Sequence, residues 1–150
     1  MKSALGEIAN FSNGKKKPHE TGNIPVYGGN GVFAYSNKSN AENCAIIGRV
    51  GAYCGSTYYE PEECWISDNA IRCEAKAGND IQFIYYLLKC LHLDKQQIGT
   101  SQPLLTQGVL NSIEIENVPK LNIQKKIAVV LSSIDLKIEI TNRINGYLAA

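Results

Sequence analysis

The C-terminal end of this chain carries a spacing that few structures satisfy. From Asn122 it reads NIQKKIAVVLSSIDLKIEITNRINGYLAA. Ile127, Leu131, Ile134, Ile138, Thr141, Asn145 and Leu148 follow one another at steps of 4, 3, 4, 3, 4 and 3. Alternating steps of four and three keep side chains on one stripe of an α-helix, and that stripe is the seam of a coiled coil. Asn122 is a candidate N-cap. Asn145 falls at a seam position where a polar residue selects register. At 1.5 Å per residue such a helix reaches roughly 42 Å, longer than a domain of this size needs for its own core. The competing reading is ordinary packing on the chain's own core, favoured near the helix start by Val129, Val130, Leu136 and Ile140. The distal half suits a partner helix.

The pattern upstream is different. Ile24–Tyr27, Val32–Tyr35, Cys44–Ile47 and Thr57–Tyr59 are short apolar or β-branched runs, and Trp65–Cys73 reads as a strand pair or one bent strand. Turn signals separate them: Asn13-Gly14, the run Gly28-Gly29-Asn30-Gly31, and a polar loop over Ser36–Asn43. Leu5–Ala9 fits a helical turn or a strand. Asn79-Asp80 can cap a helix with Ile81, Ile84, Tyr85, Leu88 and Leu91 on one face. A loop covers Gly99–Pro103, and Ile113–Pro119 alternates like an exposed strand ended by proline. The expected fold is α+β: a compact β-rich unit over residues 1–121 with a few short helices, then the long helix over 122–150.

Composition narrows the function. Net charge is +1 over 150 residues, so any anion-binding face is local. Residues 1–50 hold six Lys/Arg against three Glu, whereas residues 60–80 hold six Asp/Glu against two basic residues. Cys44, Cys54, Cys64, Cys73 and Cys90 include no CxxC, and His19 and His92 lack paired-ligand spacing, so no metal site is expected. The cysteines read as free core fillers in a reducing cytoplasm, with no signal peptide and no apolar run near ~18 residues.

The stretch GRVGAYCGSTYY, Gly48 to Tyr59, raises the question of what its backbone approaches so closely. It has no helix signal after it, and GGNG over 28–31 lacks the Lys-Ser/Thr of a phosphate loop. Both are expected to be tight hairpin-type turns. A cysteine nucleophile would need a base from only two histidines, and no paired carboxylate site, methyltransferase motif or nuclease motif stands out. What remains is a display of polar and aromatic groups. Arg49 can make two bonds to a guanine edge or a phosphate. Lys15, Lys16, Lys17 and Lys38 can meet phosphates, with Pro18 keeping the lysine loop non-helical. Tyr27, Asn30, Tyr35, Tyr53, Ser56, Tyr58 and Gln102 offer hydrogen bonds. Each taken alone reads first as a solvated surface residue or a core tyrosine, and only the set together suggests a contact surface.

The order of blocks carries more than any one of them: LGEIANFSNGKK, IPVYGGNGVFAY, AIIGRVGAYCGSTYY, WISDNAI, FIYYLLK, then GTSQPLLTQGVLNSIEIENVPKLNIQKKIA running into the long helix. This order resembles the target recognition domains of type I restriction-modification specificity subunits along nearly the whole chain. The resemblance implies a twisted, mainly β domain followed by a spacer helix. It implies a non-catalytic module that reads half of a bipartite site on double-stranded DNA. Modification subunits would then supply S-adenosylmethionine-dependent methylation, and a restriction subunit ATP-driven cleavage, with no cofactor on this chain. It also implies that Gly48, Gly51 and Gly55 serve scaffold geometry, and that Arg49 meets phosphate or braces a loop. A usual specificity subunit has two such domains, so this chain resembles a half-subunit or one excised domain, expected to pair through its helix. The alternatives are a coiled-coil adaptor that binds protein alone, and the recognition end of a fused methyltransferase-endonuclease.

Overall fold

The computed structural model describes residues 1–99 and 101–149. The chain runs β1 (Lys2–Ala4), α1 (Leu5–Ile8), β2 (Ala9–Asn13), β3 (Ile24–Gly28), β4 (Gly31–Ser36), β5 (Ala41–Gly48), β6 (Thr57–Ile66), β7 (Ala70–Ala75), α2 (Ile81–Cys90), α3 (Gln107–Ser112), β8 (Glu114–Glu116) and α4 (Leu121–Ala149). Six strands form one sheet in the order β2-β7-β5-β6-β3-β4, and β1 pairs with β8 separately. All pairings are antiparallel except β3 with β6. This is the expected α+β architecture.

Strand β5 organises the sheet. Residues Cys44 to Gly48 are all buried, because both faces of the strand are covered. Ala45 and Ile47 point into the main core with Leu5, Ile71, Ile84, Leu88, Leu105 and Leu110. Cys44 and Ile46 point the other way, into a smaller cluster with Tyr27, Cys64, Ile66 and Ala70. Alternate residues of a strand face opposite sides, so an unbroken apolar run is what a doubly covered strand requires.

Several local expectations are corrected. The polar stretch expected as a loop through Asn43 contains the start of β5, with Ala41 and Glu42 opposite Cys64 and Glu63. Its polarity follows from its position at the exposed end of the pair. Between Glu42 and Cys44 the register shifts, and Asn43 adopts φ 44° opposite Pro61 and Glu62. That bulge accommodates a proline within a ten-residue strand. Trp65–Cys73 is indeed two strands, but β5 lies between them. Strand β2 and helix α3 were not visible in the sequence. Tyr27 is a core residue rather than a surface contact: its ring is buried, and its hydroxyl donates to Glu60 at 2.9 Å. Burial and that carboxylate push the hydroxyl well above the usual tyrosine range. Tyr58 is half-buried beside it, ring centroids 6.2 Å apart.

Asp80 caps α2 as expected, its carboxylate accepting from the Phe83 N–H at 2.8 Å. Leu91 closes the helix, and His92 follows in the left-handed conformation, φ 48°. Helix α4 begins at Leu121, so Asn122 lies inside the first turn and does not cap it. The Lys120 carbonyl instead accepts from the Ile123 and Gln124 N–H groups.

Four of the five cysteines are buried and Cys90 is exposed, all of them free. The Cys44 and Cys64 sulfurs lie 3.9 Å apart, and that hydrogen bond together with burial pushes the Cys44 thiol up. Burial likewise raises Cys54 and Cys73. Only a thiolate alkylates readily. The hydrogen bond with Cys44 lowers the Cys64 thiol, but complete burial keeps reagent from it. Iodoacetamide at neutral pH should label first the one exposed thiol, Cys90, and all five after denaturation without reductant. Mass spectrometry that finds Cys44 or Cys73 modified as fast as Cys90 would contradict this core.

Candidate nucleic-acid interface and helical joint

Four segments meet at one corner of the sheet. They are the β3–β4 turn, the loop from Gly48 to Ser56, the Ser67–Asn69 turn, and the segment ending at Leu104. The Gly48 N–H donates to the Ser56 carbonyl at 2.8 Å, and Gly55 N–H returns the bond to Gly48 at 2.9 Å. A Cβ on Gly48 would collide with the Tyr53 carbonyl. Gly51 has open space around it but adopts φ 74°, a conformation that β-carbons disfavour. The glycine-rich loop thus approaches other backbone, and the glycines serve the scaffold.

Arg49 ties the corner together chiefly through its backbone. Its N–H donates to the Asn69 carbonyl at 3.0 Å, and its carbonyl accepts from Leu105 N–H at 2.9 Å. The residue is half-buried, and its guanidinium donates to the Asp68 carbonyl at 3.2 Å at the surface. It braces the Ser67–Asn69 turn, which matches the bracing role among those expected for it. Five N–H donors leave this group capable of further bonds.

The corner encloses a notch of about 320 Å³ lined by Gly28, Gly29, Asn30, Phe33, Val50, Tyr53 and Asn69. Of the residues singled out from sequence, Asn30 and Tyr53 are thereby brought together, with Arg49 beside them. Gln102 is exposed next to Pro103, whose carbonyl accepts from Gly51 N–H at 3.1 Å. Ser56 is half-buried, and its backbone closes the loop. Tyr35 and Lys38 lie apart from the notch. Tyr35 sits opposite Pro25 on the edge strand β4, and Lys38 follows that strand. Phe33 and Asn69 were missed. Phe33 is 58% exposed, and the sequence gives no means of telling an exposed aromatic on an edge strand from a core one.

Lys15 and Lys16 are exposed, and Lys17 is half-buried with its ammonium donating to the Pro18 carbonyl at 3.1 Å. Their loop is anchored to the end of β6. Lys15 N–H donates to Ile66, and its carbonyl accepts from the Trp65 indole, both at 3.0 Å. The lysines therefore flank the same turn that carries Asn69. Among the described residues no three His, Cys, Asp or Glu side chains stand together as a metal-binding group.

The long helix is attached at one buried amide. Gln124 is 1% exposed, accepts from Asp80 N–H at 2.8 Å, and donates to Asn79 Oδ1 at 3.0 Å and the Pro119 carbonyl at 2.8 Å. Ala128 is buried beside it, and Ile127 packs against the main core. Farther out, the Tyr86 hydroxyl donates to Asp135 at 2.7 Å. Burial and this carboxylate raise Tyr86 well above its ordinary range. Val129, Val130, Leu136 and Ile140, expected to pack near the helix start, are instead exposed. The seam divides: Ile127 and Leu131 are half-buried, whereas Ile134, Ile138, Thr141, Asn145 and Leu148 face outward. Ile138 is 53% and Leu148 80% exposed. Neither α4 nor any other described helix is long and apolar enough to cross a membrane.

With this geometry in place, comparison with known proteins assigns the class. The family described as the type I restriction modification DNA specificity domain matches residues 1–149, and the chain belongs to it. The chain is 28% identical over 136 residues to the specificity subunit of the type I restriction enzyme EcoprrI of Escherichia coli, covering 90% of this chain and 34% of that protein. It thus spans about a third of that relative's length. The S subunit of a type I restriction-modification system from M. genitalium shares the fold, with a TM-score of 0.78 and 19% identity over 93% of this chain and 40% of that one. The HsdS subunit from Thermoanaerobacter tengcongensis superposes with a TM-score of 0.68 at 19% identity, covering 95% of this chain and 39% of that one.

The helical joint makes a direct prediction. Gln124→Met keeps the volume and strands the Asp80 N–H and two carbonyl-type oxygens, each otherwise satisfied. A buried group left unpaired costs about 1–3 kcal/mol, so urea unfolding should show a loss of about 2–3 kcal/mol. A variant as stable as the wild type would mean that the amide does not hold the helix.

Proposed function

We propose that this chain is a DNA-recognition module of a type I restriction-modification system. It reads one half of a bipartite site on double-stranded DNA and performs no chemistry itself. S-adenosylmethionine-dependent methylation belongs to modification subunits and ATP-driven cleavage to a restriction subunit, all acting in the cytoplasm. The observation that carries this reading is the family match along residues 1–149. The geometry supports it with a rigid corner of short loops, a half-buried arginine and a flanking lysine loop. Phosphate contacts orient such a protein, and hydrogen bonds and apolar contacts at base edges select sequence. A two-part site needs two modules, and α4 supplies the means of joining them. Its outward seam from Ile134 to Leu148 is regularly spaced, with Ile134, Ile138 and Leu148 apolar and Thr141 and Asn145 polar, and a paired helix carries such a seam with a polar position to select register. Two copies joined antiparallel about a two-fold axis would read two inverted half-sites at a set gap.

Replacing Lys15, Lys16 and Lys17 together with alanine should weaken binding to target and random duplexes alike and flatten the dependence on salt. Gel-shift titrations at several salt concentrations measure both quantities. Unchanged affinity for both duplexes would make the loop merely solvated. Wild-type protein that shifts no duplex at low salt would favour the adaptor reading instead.

Pairing is tested separately by light scattering. The wild type should be dimeric at high concentration, and Ile138→Glu should be monomeric with an unchanged circular dichroism spectrum below 240 nm (roughly the peptide region). A monomeric wild type would reject self-pairing.

A further inference from the structure

The notch at the sheet corner differs in chemistry from the cationic surface around it. Its lining residues are two glycines, two asparagines, Val50, Phe33 and Tyr53, with no charge among them. A phosphate calls for cations or a fan of N–H donors. A neutral amide between hydrophobic walls instead matches the edge of a base pair. Asn30 and Asn69 are both exposed, and neither amide makes a hydrogen bond to another described residue. The Asn69 backbone, by contrast, is held at two points. Its carbonyl accepts from Arg49 N–H at 3.0 Å, and its N–H donates to the Ser67 hydroxyl at 3.4 Å. Ser67 is itself buried. A free amide on an immobilised turn is pre-organised for a directional contact.

We infer that this notch is a specificity-determining site that reads an A·T base pair, with the Asn69 amide on the adenine edge and the Phe33 and Tyr53 rings against the thymine methyl. An amide presents one donor and one acceptor side by side, which matches adenine N7 and N6 in the major groove. Guanine there presents two acceptors, which a guanidinium matches better. Thymine alone carries a methyl group on that face. Phe33 and Tyr53, 58% and 50% exposed, provide apolar surface at the notch that a methyl can cover. Arg49 acts here as a positioning residue, since its guanidinium and backbone hold the Asp68-Asn69 turn. The inference rests on the DNA-recognition reading above.

The test is selection of bound duplexes from a randomised pool by the full chain, followed by sequencing. Wild type should enrich a motif with an A·T pair at one or more positions. Asn69→Asp, which keeps the side-chain shape, should lose preference at one such position by about tenfold while the other positions persist. Replacing thymine with deoxyuridine there removes only the methyl and should weaken wild-type binding about threefold. Phe33→Ala should bind the thymine and deoxyuridine duplexes equally. A motif that Asn69→Asp leaves intact at every position, or indifference of the wild type to deoxyuridine throughout, overturns this inference and leaves DNA recognition standing. Failure of the wild type to enrich any motif overturns both.

Discussion

Gln124 is the point at which the two parts of the molecule become one. Its amide satisfies the N–H of the residue that caps α2, the side chain of Asn79, and the carbonyl just ahead of α4. Three short bonds at a fully buried position hold the helix at one angle to the sheet. Ala128 lets the helix approach closely, and the Tyr86–Asp135 bond extends the contact by about three turns from Gln124. Beyond that the helix leaves the domain, so the orientation of its outward seam is set by this joint.

The sheet corner depends on a second kind of constraint, backbone packed on backbone. Gly48 lets the Tyr53 carbonyl pass within contact, and Arg49 offers its main chain to both Asn69 and Leu105. A loop built this way has little freedom, and its exposed side chains inherit that rigidity. Phe33, Tyr53, Asn30 and Asn69 therefore project from defined positions although all lie outside the core. A contact made from such positions costs less ordering entropy than one made from a mobile loop. Members of one family can share such a scaffold and differ in what it displays, because the bonds that shape the loop run through the main chain.

The exposed apolar surface of α4 stands against ordinary economy for a free helix. Ile134, Ile138 and Leu148 on the seam each remain about half or more exposed. Single exposed apolar residues are commonplace, but a regular stripe of them has a cost in water that a partner surface removes.

Periodicity alone determined the long helix, because a repeat of 3.5 residues fits only one local structure and persists for many turns. The same applied to Asp80 as a cap and to the short strands between glycine-rich turns, whose signals are local. Block order carried the family, since it needs no three-dimensional information. Tertiary structure decided what local signals could not. Strand β5 begins in a polar stretch because Ala41 and Glu42 have β6 beside them, and Pro61 is tolerated because Asn43 bulges opposite it. Tyr27 is core and Phe33 is surface, though both stand in similar apolar runs, because one faces a second layer and the other an open sheet edge. Nothing local in the sequence sets Gln124 apart, and only the arrival of Asn79, Asp80 and Pro119 around it made it the joint. Burial is a property of what surrounds a residue, and Asn79 and Asp80 come from a part of the chain more than forty residues away.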